Sequence, residues 1–231
     1  MVDPVVREHE VTGILDRWDW EDGACLIGGY AVAAYAKPRY SRDLDFVIPK
    51  DRREATIGRL LGLGFEQRGP RRGERTDGFP DAVRMEKANL TIDLMVGSVR
   101  DRETGTTIPQ EWIAARARAV RVLLITGSTE RPVQVCRPEA LWVLKLVAGR
   151  DQDLGDLFAL SRERVDIEEI RDYLVQIKND SLARKLRREA ARLRSDKIYL
   201  DSCASRFLRS STEESRIEWD RFVRLFQSIL S

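Results

Sequence analysis

Leu26-Ile27-Gly28-Gly29-Tyr30-Ala31-Val32 and, soon after it, Ser41-Arg42-Asp43-Leu44-Asp45-Phe46 carry the densest chemical signal in this chain. The apolar run Ala24 to Ile27 meets a glycine pair and then the small-residue stretch Tyr30 to Ala36. That order predicts strand, tight turn and helix, with Pro38 closing the helix. Asp43 to Ile48 reads as a second strand, ended at Pro49 because proline has no N–H to give to a ladder. Residues two apart in a strand project from one face, so Asp43 and Asp45 share a side while Leu44 and Phe46 share the other. Carboxylates so close repel, and each loses ionisation unless a divalent metal or a basic group neutralises it. A donor set made only of oxygens suits a hard ion, Mg2+ first and Mn2+ as its substitute.

A third acid, Asp93, interrupts the apolar run Leu90-Thr91-Ile92-Asp93-Leu94-Met95-Val96, where an ionised group needs a partner. If the two strands are neighbours, three carboxylates converge. Taken alone, the acids read more readily as a turn cap at Asp43, an ion pair from Asp45 to Arg42 and a sheet-edge residue at Asp93. The surrounding pattern reverses that preference. With the glycine pair, Arg39, the Asp-x-Asp strand and the later Ile92-Asp93 in this order, the sequence resembles the DNA polymerase beta-like nucleotidyltransferase superfamily. Within it, the chain is similar to the AbiEii-type family of abortive-infection and toxin-antitoxin enzymes.

The resemblance implies that Gly28 and Gly29 let backbone N–H groups approach a nucleoside triphosphate at a helix N-terminus. It implies that Asp43, Asp45 and Asp93 hold metal ions that bridge phosphate oxygens. Arg39 and Arg42, with Lys37, precede the acidic strand and could meet the triphosphate or an incoming RNA phosphate, or balance the charge of Asp43 and Asp45. A second segment, Arg137-Pro138-Glu139-Ala140-Leu141-Trp142-Val143-Leu144-Lys145 through Arg150 to Asp153 and Asp156, resembles the family's helical motif. There Lys145 would contact the triphosphate and take part in catalysis, while Asp153 and Asp156 would orient the nucleotide. Gln152-Asp153 stands where the family usually has Lys-Asp, one positive charge fewer. The matches span residues 24 to 47, 90 to 96 and 138 to 160.

Composition narrows the chemistry independently. A chain of 231 residues with 42% hydrophobic and 34% charged residues describes a globular protein of one large or two small domains. No apolar run approaches a bilayer span and no secretion signal opens the sequence, so no membrane is implied and the cytoplasm is the expected compartment. Cys25, Cys136 and Cys203 have no metal-ligand spacing and read as reduced thiols, and the single histidine, His9, removes most zinc hydrolases and imidazole-assisted nucleophiles. A net charge of +2 does not announce a nucleic-acid binder. Arginine clusters at residues 68–75 and 184–194 permit RNA without requiring it.

Along the chain, Val11, Ile14, Leu15 and Trp18 predict an opening helix, and Asp51 a cap for a helix buried through Ile57, Leu60 and Leu61. Residues 67–80 read as a loop, 82–87 and 90–96 as strands joined at Ala88-Asn89, and Val120 to Thr126 with Val133 to Cys136 as a closing strand pair. After Pro138 every apolar period is helical. Leu182, Leu186, Ala190 and Leu193 form one stripe; Trp219, Phe222, Val223, Phe226 and Ile229 form another, with Thr212 as N-cap. The expected fold is α+β. Residues 1–136 form a nucleotidyltransferase core with a mixed sheet, and residues 137–231 form an all-helical domain.

The function expected is metal-dependent transfer of a nucleoside monophosphate from a nucleoside triphosphate to an acceptor hydroxyl. The resemblance allows a transfer RNA end or another RNA, a protein or a small molecule as acceptor, and a cognate antitoxin or toxin as partner. The alternative is a non-catalytic module that keeps the fold as a regulator. A kinase-like reading ranks lower, because no phosphate-binding Gly-x-x-x-x-Gly-Lys loop is present.

Overall fold

Aspartates alternating with Leu44 and Phe46 give the strand Asp43–Ile48 one apolar face, and both apolar side chains are wholly buried. Around it the computed structural model describes residues 4–36, 41, 43–69, 82–88, 90–207 and 213–230. The chain divides into two compact units, Met1–Arg100 with Thr107–Arg137, and Asp101–Thr106 with Pro138–Ser231.

In the first unit, β1 (Cys25–Ile27), β2 (Asp43–Ile48), β3 (Glu66–Arg68), β4 (Ala82–Lys87), β5 (Leu90–Val96), β8 (Ala117–Val120) and β9 (Val133–Cys136) form one sheet of order β3-β4-β5-β2-β1-β9-β8. It is mixed: β2 runs parallel to β5 and β1 parallel to β9, while the remaining neighbours are antiparallel. A small hairpin, β6 (Ser98–Arg100) with β7 (Thr107–Pro109), branches off after β5. The apolar face of the sheet, with Leu44, Phe46, Ile92 and Leu94 at 0% exposure, is closed by α1 (Pro4–Arg17) through Val11 and Leu15. Trp18, just past that helix, stacks on Phe46 at 4.1 Å between ring centroids. The unit is completed by α2 (Gly28–Ala33), α3 (Arg53–Gly62) and the single-turn α4 (Gln110–Ala114).

Three local expectations are corrected, the first being that Leu61, expected on the buried face of α3, is 50% exposed. Val120 to Thr126 is not a strand: β9 pairs with Ala117–Val120 instead. The amides of Ile125 and Thr126 go to the buried carboxylate of Glu8, at 3.2 and 2.8 Å, so they are not available to a neighbouring strand. Asp51 does not cap α3; it lies in a 3-10 turn, Lys50–Arg52, and the residue preceding the helix, Arg52, makes no side-chain cap.

The second unit is helical: α5 (Pro138–Ala148), α6 (Asp151–Leu160), α7 (Ile167–Gln176), α8 (Asp180–Ser195), α9 (Lys197–Phe207) and α10 (Glu213–Leu230). Proline suits the first turn of α5, where an amide hydrogen would have no helical partner. Every side chain from Pro138 to Val147 is buried, which makes α5 the core of this unit. Asp166 and Asn179 cap α7 and α8, each accepting two backbone N–H groups. The stripe on α10 packs its aromatic rings on that core: Phe222 lies 6.2 Å from Trp142 and meets Phe158 edge-on at 5.6 Å. Thr212, expected as the cap of α10, falls outside the described residues. No helix among them is long and apolar enough to cross a membrane.

Candidate active site

Parallel pairing of β2 with β5 sets Asp45 directly abreast of Asp93, and Asp43 abreast of Thr91. Since facing residues of adjacent strands share a side, the three aspartates lie on one face, opposite the buried Leu44, Phe46, Ile92 and Leu94. On the other side of β2, Ile27 stands abreast of Asp45, and the chain turns immediately into Gly28. Here φ is +72°, in the left-handed region that glycine enters without steric cost. A Cβ at this position would lie 2.0 Å from Oδ2 of Asp45 and 2.7 Å from its Cγ. The glycine pair therefore has a specific reason: Gly28 turns the chain and leaves the space that the Asp45 carboxylate fills, and Gly29 continues into the first turn of α2.

Asp93 is engaged differently. Arg84, abreast of it on β4, donates from Nε to Oδ1 at 2.8 Å and from Nη2 to Oδ2 at 3.0 Å. This two-pronged fork occupies both carboxylate oxygens, and the two side chains are 18% and 19% exposed. Among the described residues no group of three or more acidic, histidine or cysteine side chains is gathered closely enough to hold a metal ion. Asp43 and Asp45 nonetheless fit a hard divalent ion. They offer oxygen donors two residues apart on one half-exposed face, with Asp45 seated in the space at Gly28. Magnesium is commonly held by one or two carboxylates, with water and substrate phosphates completing its shell.

Lys145 belongs to the helical unit. Its Nζ donates to Oδ1 of Asp153 at 2.9 Å and pairs with Oδ2 of Asp156 at 2.7 Å, and the three side chains are only 5%, 0% and 2% exposed. Arg150 closes the cluster on Asp153 with its backbone N–H at 3.0 Å and its guanidinium at 2.8 and 3.1 Å. Burial alone would raise the Asp153 carboxyl, but the hydrogen bonds from Arg150 and the charges of Lys145 and Arg150 outweigh it and hold the group below the usual carboxylate range. The motif that reads as nucleotide contacts is, in the structure, also a buried ionic tie between α5 and α6. Lys145 and Arg150 line a cavity of about 160 Å³ together with Lys185, Arg192, Tyr199 and Phe226.

The neighbouring Gly149 is a second glycine with a defined task. At φ +58°, its missing Cβ leaves room for Cε of Lys185, which would lie 2.6 Å away. That lysine caps the end of α5 by donating to the carbonyls of Val147 and Ala148, both at 3.0 Å. Arg39 and Arg42, with Lys37, lie outside the described residues. Arg84 was not singled out in the sequence, although it stands nearest to the acids in the sheet's pairing.

A family described as nucleotidyl transferase AbiEii toxin, type IV toxin-antitoxin system, matches residues 13–230. No curated protein matches. Among solved structures, JHP933 from Helicobacter pylori is 18% identical with a TM-score of 0.51, the alignment covering 100% of this chain and 95% of that one. The nucleotidyltransferase toxin MenT4 from Mycobacterium tuberculosis H37Rv is 15% identical with a TM-score of 0.50, covering 98% of this chain and 82% of that one. At such identities these two structures establish a shared fold.

Proposed function

The chain belongs to the AbiEii family of nucleotidyltransferase toxins, and from that premise we propose that it transfers a nucleoside monophosphate from a nucleoside triphosphate to an acceptor hydroxyl, using a divalent metal held by Asp43 and Asp45. The observation that carries this reading is the seating of the Asp45 carboxylate against Gly28, with Asp43 on the same face. An acid pair fixed by a turn that admits no side chain is arranged in advance of the ligand, which is what electrostatic catalysis requires.

When bound, the metal neutralises charge on the phosphates and on the oxygens entering and leaving phosphorus. The protein's own groups position the reactants. Gly28 and Gly29 let the main chain approach a phosphate, and Arg39 and Arg42 supply positive charge beside the acidic strand. An RNA end is the acceptor we favour, on the resemblance to toxins and on the arginine clusters, and a cognate antitoxin is the expected protein partner. Residues 1–136 form the catalytic core in this proposal, and residues 137–231 form a helical domain that Lys145, Asp153 and Asp156 tie together from its interior.

Incubation with nucleoside triphosphates, Mg2+ and total RNA tests the reaction class. Label from the α phosphate is expected on an acceptor, with pyrophosphate released. Transfer of label from the γ phosphate alone would replace this reading with a phosphotransferase one.

A further inference from the structure

We propose that the exposed face of α8 is a docking track for the phosphate backbone of RNA, carried by Arg184, Arg187, Arg188, Arg192 and Arg194. The inference rests on the reading of RNA as the acceptor and adds where that RNA is held. At about 100° per residue, these five side chains fall within about 160° of the helix circumference. All five are exposed, while Leu182, Leu186, Ala190 and Leu193 are buried on the opposite side. From Arg184 to Arg194 the row is about 15 Å long.

A helix face that merely meets solvent mixes both signs at spacings of three and four residues. Here Arg184, Arg188 and Arg192 repeat every fourth position with one sign, an arrangement that repels within the helix. Among the described residues no carboxylate pairs with Arg184, Arg187 or Arg194, and Arg184 reaches the hydroxyl of Ser181 at 3.1 Å. Arg188 and Arg192 meet Glu103 and Glu189 at 3.4 and 3.7 Å, yet their side chains stay 69% and 48% exposed. The helix carries six basic side chains against two acidic ones, a charge of +4, whereas the whole chain has +2, so the remainder is net −2. Positive charge is gathered on one element, which is the distribution that counterion release from a polyanion rewards.

The surroundings of the row favour RNA over other anionic partners. The apolar side of α8 is buried, so it is not free to enter a bilayer as the apolar face of an interfacial helix does. Among the arginines stand Ser181, Ala191 and Ser195, which provide no aromatic or large aliphatic anchor for the centre of a protein interface. Guanidinium groups match phosphate oxygens without any apolar contact, and double-stranded RNA is recognised largely through its backbone.

Binding is read on the full chain without nucleotide, as the fluorescence anisotropy of a labelled stem-loop RNA over a range of KCl concentrations. The triple variant Arg184→Gln/Arg187→Gln/Arg194→Gln keeps helix propensity. It is expected to bind about ten- to a hundredfold more weakly at low salt, with the slope of log affinity against log salt shallower by about 2–3. The triple variant Arg184→Lys/Arg187→Lys/Arg194→Lys is expected to keep both affinity and slope, since a point charge also binds phosphate.

Equal affinity and slope in the wild type and the glutamine variant would overturn the inference, as would a wild-type protein that binds no RNA. Capture by anionic phospholipid vesicles or by polyglutamate, lost in the glutamine variant while its RNA binding stays intact, would overturn it in favour of a membrane or an acidic protein. Transfer to RNA by the glutamine variant with an unchanged KM for RNA would sustain the reaction and overturn the docking track. RNA binding that depends on the row, in a protein that transfers nucleotide to no acceptor, would sustain the track and overturn the reaction.

Discussion

Gly28→Ala is expected to lower nucleotidyl transfer at least about a hundredfold, since displacement of a reacting group by about 1 Å can cost that much. The methyl group would begin 2.0 Å from Oδ2 and 2.9 Å from Cβ of Asp45, too close for any rotamer adjustment at residue 28 to relieve. Either Asp45 leaves its place or the β1–α2 turn shifts, and each outcome separates the two carboxylates of the acid pair. The left-handed φ of +72° adds a cost of about 1–2 kcal/mol for an L side chain. Steady-state transfer from α-labelled triphosphate and a thermal melt measure the two effects. A variant that melts a few degrees lower yet transfers at the wild-type rate would show that the position of Asp45 is not needed for the reaction.

Lys145→Met is expected to destabilise the protein by about 3–5 kcal/mol, the usual cost of removing one partner from a buried ion pair. Asp153 and Asp156 would remain in a site where they are 0% and 2% exposed, without the ammonium group that both of them contact. The wild-type cluster also has a pH signature. Because the folded Asp153 carboxyl lies below its ordinary value of about 3.9, its contribution is fully present above that pH and is lost as pH falls through the lower folded value. In Lys145→Met the loss should begin at higher pH, because one of the charges that hold the group down is gone. Urea unfolding between pH 3 and 7, on the order of five points, checks both statements. An unchanged midpoint together with weakened triphosphate binding would make Lys145 a phosphate contact and not a strut.

The acid pair and its turn were legible in the sequence because a two-residue period and a glycine before a helix each have one simple geometric meaning. The α+β character was legible for the same reason, as the period changes at Pro138. The Arg84 fork was within reach too. Strands at 82–87 and 90–96 joined by a two-residue turn place Lys87 opposite Leu90, and counting back from there sets Arg84 against Asp93. That register follows from turn length alone, yet an arginine in a strand carries no signal until its partner is known.

Other features depend on distant residues. The failure of Val120 to Thr126 to form a strand depends on Glu8, more than a hundred positions away, capturing two amides. The hairpin of β6 and β7 is made of three-residue strands, too short for any period to register. The burial of Lys145 could not be read from its helix either. A lysine one turn before the end of an amphipathic helix ordinarily reaches solvent, and only the return of α6 encloses this one with two aspartates.

The central claim, that Asp43 and Asp45 together hold the metal ion beside the Gly28 turn, is tested most directly by titrating Mn2+ into wild-type, Asp43→Asn and Asp45→Asn proteins whose circular dichroism spectra coincide. Tight binding in the wild type, lost in both variants, is the predicted result. Equal Mn2+ affinity in all three proteins would contradict it and leave the acid pair without a role in catalysis.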